Sequence, residues 1–421
     1  MKQPIKFKQT EIGLIPEDWD FGELEKHSKI IMGQSPESKY YNSNGNGTLF
    51  LQGVRTFGLF FPTYDTWTTK ITKLAKKDSV LLSVRAPVGE VNIADKELCI
   101  GRGLLSINGE CNLYIFYLFK AFKDYVINKE TGTVYGSVTR GDIAKLKFPF
   151  PKVNEQKAIA SILSSFDDKI ELLEKQNETL EKIGEALFKQ WFVNFEFPDE
   201  NGKPYKSSGG KMIWSEELKK EIPVGLMFVP LSEVTDNILR GFTTEYVEKS
   251  GLINLNQKVN RGGYLDKSNF KYYPENAVVP SEKFAKKWDL LINSLGQGTI
   301  GRIHIYLENT TNVVVDQHIS IIRANSKLIN PQYLYYYLIF NENNAKLMDS
   351  ISGSTGMLML NISAVRSFKV LIPGIESLNL FEKQVVSLLE KKGVNNLQIE
   401  SLKQTRDLLL SKLMGGKIRV V

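Results

Sequence analysis

The second half of this chain repeats the plan of the first, and that duplication restricts the available folds more than any other feature. Each half opens on an Ile-Pro pair, Ile15-Pro16 and Ile222-Pro223. Each then runs through a strand-rich stretch to a proline, Pro151 or Pro373, and enters a long amphipathic helix. KKDSVLLSVRAPVGEVNI from Lys76 aligns with KKWDLLINSLGQGTIGRIHI from Lys286, GRGLLSI from Gly101 with DQHISII from Asp316, and YIFYLF from Tyr114 with YLYYYL from Tyr333. From Ile143/Val365 onward the separation is constant at 222 residues, through Pro151/Pro373, Leu163/Val385 and Leu187/Leu409. A repeat this long means two copies of a domain, not a solenoid of short units. Two similar heads with helical spacers suit a protein that grips two separated places on one elongated partner.

Within each copy, short β-branched runs such as SVLLSV and LLINSL lie between Gly, Asn and Pro signals and read as strands. One aromatic helix per copy follows, near Tyr114–Tyr125 and Tyr333–Asn341. The globular parts are therefore expected to be α+β with mostly antiparallel sheet. The long helices, about Glu155–Phe192 and Ser377–Leu413, are of another kind. In the first, Ile159, Leu163, Phe166, Ile170, Leu173, Asn177 and Leu180 form a heptad seam. The second gives Phe381, Val385, Leu388, Lys392, Asn395, Ile399 and Leu402, a seam weaker in its middle. A helix of ~38 residues is about 57 Å long, and such an apolar stripe demands a partner. The two helices are expected to pair as an antiparallel coiled-coil spacer, with Asn177 as a register device. The predicted boundaries are a first head at 1–152, spacer helix 153–196, a polar linker at 197–221 that begins FPDENGKPYKSSGGKMIW, a second head at 222–374, and spacer helix 375–421.

The chain has 421 residues, with 54 Lys+Arg against 47 Asp+Glu, a net charge of +7 that is compatible with a nucleic-acid partner. His27, His304 and His318 are too dispersed in sequence for a local metal site. Cys99 and Cys111 are too few for a disulfide scaffold, so a reducing cytoplasm is the expected setting. No apolar run reaches the ~18 residues of a membrane span. The opening MKQPIKFKQTEIG lacks the apolar stretch of a signal peptide.

Three catalytic motifs fail in context. GQGTIG at Gly296–Gly301 fits a dinucleotide fingerprint, but RIHIYL after it reads as a strand, leaving no helix N-terminus for a pyrophosphate. NPQY at Asn330–Tyr333 resembles an amino-methyltransferase loop, yet Asn330 reads as an N-cap and Pro331 as the first helical residue. Asp199, Glu217 and Lys219 match a nuclease pattern but flank the polar linker. The chain reads as a binding protein without chemistry of its own.

Candidate contacts are polar and basic residues at or near turns: Arg55, Lys70, Arg85, Arg102 and Arg140 in the first copy. In the second they are Arg240, Arg261, Gln297, Arg302, Gln317 and Arg366. Arg and Gln suit base edges in the major groove, and Lys suits phosphates. Tyr40, Tyr41 and Tyr64 are candidates for packing on a sugar-phosphate backbone, the alternative being the core positions expected of most aromatics in this chain.

The opening IGLIPEDWDFGEL, the segment PFPKVNEQKAIASILSSFDDKIELLEKQNETLEKIGEALFKQWFVNFEF, the linker DENGKPYKSSGG and the close LLLSKLMGGKI resemble the specificity subunits of type I restriction–modification systems. The pattern Pro151, Glu155, Gln156, Ile159 before a long helix carries most of the likeness. The second copy departs from it, with Ser377 and Leu378 in place of Glu155 and Gln156. The resemblance implies two target-recognition domains, each reading one half of a two-part site on double-stranded DNA. It implies helices that dock two methyltransferase subunits, with restriction subunits joining that core. It further implies no cofactor on this chain itself, S-adenosylmethionine, ATP and Mg belonging to the partner subunits. The alternative is a two-headed adaptor for proteins rather than DNA.

Overall fold

The structure, a computed structural model, describes residues 6–128, 137–353 and 358–420. Packing divides the chain into two units, Met1–Leu172 with Ile399–Val421, and Leu173–Gln398. This division cuts both long helices, Val153–Phe188 and Ile375–Met414, rather than falling at their starts.

In the first unit an antiparallel sheet runs in the order Val91–Ile93, Val80–Ser83, Leu104–Gly109, Ser28–Met32. A second sheet joins Thr48–Leu51 to Leu98–Ile100 in parallel, with short antiparallel partners outside. The second unit repeats both. Its main sheet is Thr235–Arg240, Ile319–Ala324, Leu290–Asn293, Ile303–Ile305, and Leu252–Leu255 lies parallel to Val313–Val315.

The unbroken apolar runs follow from burial of both sheet faces. Val80 and Leu82 face one core cluster while Leu81 faces another, the alternation a pleated strand imposes. Leu290 and Ile292 against Leu291 do the same in the second unit. The aromatic helices Asn112–Ala121 and Pro331–Ile339 cover the main sheets, burying Tyr114, Phe116 and Phe119 in one and Tyr333, Tyr335 and Tyr336 in the other.

Each core is closed by both long helices. The first takes Ile159 and Leu163 from the start of one and Leu413 and Met414 from the end of the other. The second takes Phe188, Trp191 and Phe192 with Leu378, Phe381 and Val385. Within each unit the helices run antiparallel. Asp167 meets Arg406 and Glu155 meets Arg419 in the first, and Asn177 meets Asn395 and Asn396 in the second.

The seam differs from the heptad reading at two places. Asp167, not Phe166, is fully buried, and Leu389, not Leu388. Asn177 does act across the seam: it donates to Asn396 Oδ1 at 2.8 Å and accepts from Asn395 Nδ2 at 2.9 Å. Lys392, also buried, pairs with Glu181.

The stretch expected to be a linker is built structure. Phe197 is buried and stacks on Tyr205 at 4.8 Å, Pro198 bridges Pro204, and Met212–Ser215 pairs with Lys220–Pro223. That hairpin is the second copy of Phe7–Thr10 with Gly13–Pro16. Aromatic anchors spaced among exposed Gly, Ser and Lys hold the segment in place, and an averaged polarity hides them.

Candidate nucleic-acid interface

In the first unit four pieces of chain cross at the ends of the two sheets. Gly33 N donates to Leu104 O at 3.0 Å, Gln34 N to Ile100 O at 2.9 Å, Gly101 N to Leu51 O at 2.7 Å, and Val84 N to Gly103 O at 2.9 Å. The crossing is too close for side chains. A methyl on Gly33 would sit 2.2 Å from Gly101 O, and one on Gly103 would sit 2.4 Å from Gln52 O. Glycine is used here for backbone approach. Ser83 closes the neighbouring turn, donating to Pro87 O at 2.6 Å and accepting from Glu90 N at 2.9 Å. Around the crossing lies a small cleft lined by Gln52, Ser83, Arg85 and Arg102 among others.

The second unit repeats the crossing bond for bond. Gly241 N donates to Ile319 O at 3.0 Å, Phe242 N to Val315 O at 2.8 Å, Asp316 N to Leu255 O at 2.9 Å, and Ser294 N to His318 O at 2.8 Å. This correspondence sets Gln317 in the place of Arg102 and Leu295 in that of Arg85. Here Asp316 is buried and accepts from His318 N at 2.9 Å, Asn254 Nδ2 at 3.1 Å and Tyr246 OH at 3.2 Å.

The candidate residues divide by what their side chains already do. Arg55 forms a two-point pair with Asp65 at 2.7 and 2.8 Å, and Arg261 pairs with Asp266 at 3.0 Å. Four arginines donate to backbone carbonyls within their own unit: Arg140 to Ile30 at 3.2 Å, Arg240 to Leu360 at 2.6 Å, Arg302 to Gly298 at 3.0 Å and Arg366 to Ile238 at 2.9 Å. Half-burial of Arg240 also pulls its guanidinium below the ordinary range. Lys70 lies 5.1 Å over the Tyr40 ring. Among the described residues, the side chains of Arg85, Arg102, Gln297 and Gln317 make no hydrogen bond or ion pair with the protein, and all four are exposed. The structure thus brings Arg85 and Arg102 together and leaves both guanidinium groups available.

Gln52 was not singled out by the sequence, although it too is exposed in the cleft. Its one signal is position, a polar residue directly after the apolar strand Thr48–Leu51. Its counterpart Asn256 is occupied, donating to Asn269 O at 2.9 Å and accepting from Lys258 N at 2.9 Å. Tyr64 hydrogen-bonds Asp95, and Tyr41 donates to Pro36 O at 2.7 Å, so both serve the fold.

The motif-like segments resolve as structural features. Gly296, Gly298 and Gly301 take φ of 113°, 73° and 83° in the hairpin between Leu290–Asn293 and Ile303–Ile305, and no helix follows. Asn330 stands at the N-cap, yet its side chain donates to Glu382 instead of capping. Asp199 accepts from Asn201 N and Lys203 N, Glu217 pairs with Lys369, and Lys219 pairs with Glu216, so the three do not converge. Among the described residues no His, Cys, Asp and Glu cluster suits a metal ion, and no helix is long and apolar enough to cross a membrane.

Residues 16–182 and 235–406 match the family described as the type I restriction modification DNA specificity domain. A Methanocaldococcus jannaschii chain, the MjaIX type I restriction enzyme specificity subunit, is 28% identical over 99% of this chain and 97% of its own length. The provisionally named MjaX specificity subunit of the same organism is 46% identical over 43% of this chain and 44% of its own. Among solved structures, the S subunit of a type I restriction–modification system from M. genitalium superposes with a TM-score of 0.61 at 20% identity, covering 98% of this chain and 99% of that one. That likeness shows the fold.

Proposed function

Because the chain belongs to the type I restriction modification DNA specificity family, we propose that it is the sequence-reading component of such a system, each head recognising one half of a two-part site on double-stranded DNA. In this reading the long helices dock two methyltransferase subunits, and restriction subunits join that assembly. S-adenosylmethionine, ATP and Mg act on those partners. This chain contributes recognition and no catalysis, as the names of its relatives suggest.

The observation that carries the DNA reading is the free pair Arg85 and Arg102 in a cleft of the first head, over a crossing repeated in the second. Six other candidate arginines are bound to protein acceptors; these two have donors available for base edges or phosphates.

The test is binding of the chain, assembled with its methyltransferase subunits, to duplex DNA over a range of salt. Affinity should fall linearly in log–log form as phosphate-bound ions are displaced. Arg85→Ala with Arg102→Ala should weaken binding strongly, and Arg55→Ala, whose side chain is held by Asp65, should do so much less. Salt-independent binding, or equal effects of the two sets, would overturn the reading and favour a protein adaptor.

A further inference from the structure

We propose that Arg102 and Gln317 are equivalent base-reading residues that give the two half-sites different letters, guanine under the first head and adenine at the matching base pair under the second. The inference rests on the DNA-reading function above and deepens it.

The equivalence is geometric. Arg102 is the second residue of a four-residue turn closed by Leu104 N to Gly101 O at 3.0 Å. Gln317 is the second residue of a turn closed by Ile319 N to Asp316 O at 2.9 Å. Each turn links the strand that pairs in parallel, Leu98–Ile100 or Val313–Val315, to the central strand of the main sheet. Each is anchored by the same crossing bonds, so the two heads present one side chain from one place.

Both side chains are presented rather than absorbed. Each is exposed and free of protein partners among the described residues, while the residues beside it are fixed. Arg102 N donates to Ser35 Oγ at 3.1 Å, a methyl on Gly103 would meet Gln52 O at 2.4 Å, and one on Gly101 would meet Ser35 Oγ at 2.9 Å. His318 is held by Asp316 through its own amide at 2.9 Å and its ring Nδ1 at 2.5 Å. A held turn with one free planar side chain at its tip suits a two-point contact to a base edge.

The chemistry of the two tips then differs. A guanidinium offers two donors, matching the paired acceptors O6 and N7 of guanine. A carboxamide offers one donor and one acceptor, matching N7 and N6 of adenine. At the neighbouring point Arg85 adds a second guanidinium to the first head, where the second head has Leu295 and no hydrogen-bonding side chain.

The experiment uses the full chain assembled with its methyltransferase subunits, acting on a randomised duplex library whose methylated members are sequenced. Arg102→Gln should convert one position of one half-site from G·C to A·T and leave the other half-site unchanged. Gln317→Arg should make the reverse change in the other half-site. Each switch should move the preference at that position by roughly 10- to 100-fold. Arg102→Lys should retain guanine with weaker discrimination. Unchanged letters, or an even loss over all sequences as expected of a phosphate contact, would overturn the inference while leaving DNA reading intact. A wild-type assembly that selects no sequence would overturn both.

Discussion

Arg406 donates to the fully buried carboxylate of Asp167, Nη1 to Oδ1 at 2.5 Å, and the same carboxylate accepts from Tyr117 OH at 2.7 Å. The pair joins the two long helices to the aromatic helix of the first unit. Removing Arg406 leaves the Asp167 carboxylate without its counterion in a dry place, which costs ~3–5 kcal/mol, whereas Arg406 also pairs with Asp407 at 2.7 Å. Arg406→Ala, which strands the buried Asp167 carboxylate, should lower the stability of the first unit by about that amount, read by hydrogen exchange of its sheet amides. Asp167→Leu with Arg406→Leu should recover much of the loss. Equal stability of the single variant and wild type would refute the assignment.

His304 gives the second unit an acid-sensitive core. Its ring is buried, Nδ1–H donates to Gly262 O at 2.7 Å, and burial pulls its pKa from 6.5 down to about 4. Between those values the unfolded chain takes up a proton that the folded unit refuses, so stability falls as pH drops from 6.5 toward 4. The full effect is on the order of 3 kcal/mol. His304→Gln should flatten that part of the profile, measured by urea unfolding at several pH values; an unchanged slope would exclude His304 as its source.

The glycines of the crossing are expected to act head by head. A methyl on Gly33 meets Gly101 O at 2.2 Å, and one on Gly241 meets Val315 O at 2.1 Å, both backbone atoms that cannot rotate away. Gly33→Ala should cost its own unit about 1–3 kcal/mol and blur selection in only one half-site, and Gly241→Ala should blur the other. Library methylation reads this directly. If either substitution blurred both half-sites alike, the crossings would not be independent presenters.

Arg419 ties the end of the second long helix to the start of the first head. It contacts Asp18 at 2.9 Å through both terminal nitrogens and Glu155 at 2.6 Å through Nε, above the Trp19 ring at 5.6 Å. These bonds hold Asp18 below the usual carboxylate range and raise the guanidinium. Charge-assisted bonds of this kind contribute ~1.5–3 kcal/mol. Arg419→Ala should expose the segment after Met414 to limited proteolysis well before the rest of the unit. Wild-type resistance in the variant would count against the tie.

The duplication, the strand runs and both long helices were legible in the sequence because each repeats over many residues. The availability of individual side chains was not. Arg55 and Arg102 look alike in the sequence, and only the fold brings Asp65 to the first and, among the described residues, no partner to the second. The seam misled at Phe166 for a related reason: heptad spacing cannot foresee that Asp167 turns inward to meet Arg406. The stretch 197–221 was averaged into a linker because its few aromatic anchors are outnumbered by polar neighbours.

That Leu413 and Met414 complete the first core has a consequence for biosynthesis. The second unit is one continuous stretch, Leu173–Gln398, whereas the first is interrupted by it. Synthesis at ~5–20 residues per second usually lets the N-terminal domain fold first. Here the order inverts: a ribosome halted before Ile399 carries every residue of the second unit and an open first one. The half-built first core must wait, its apolar face uncovered, until Leu413 and Met414 have been made.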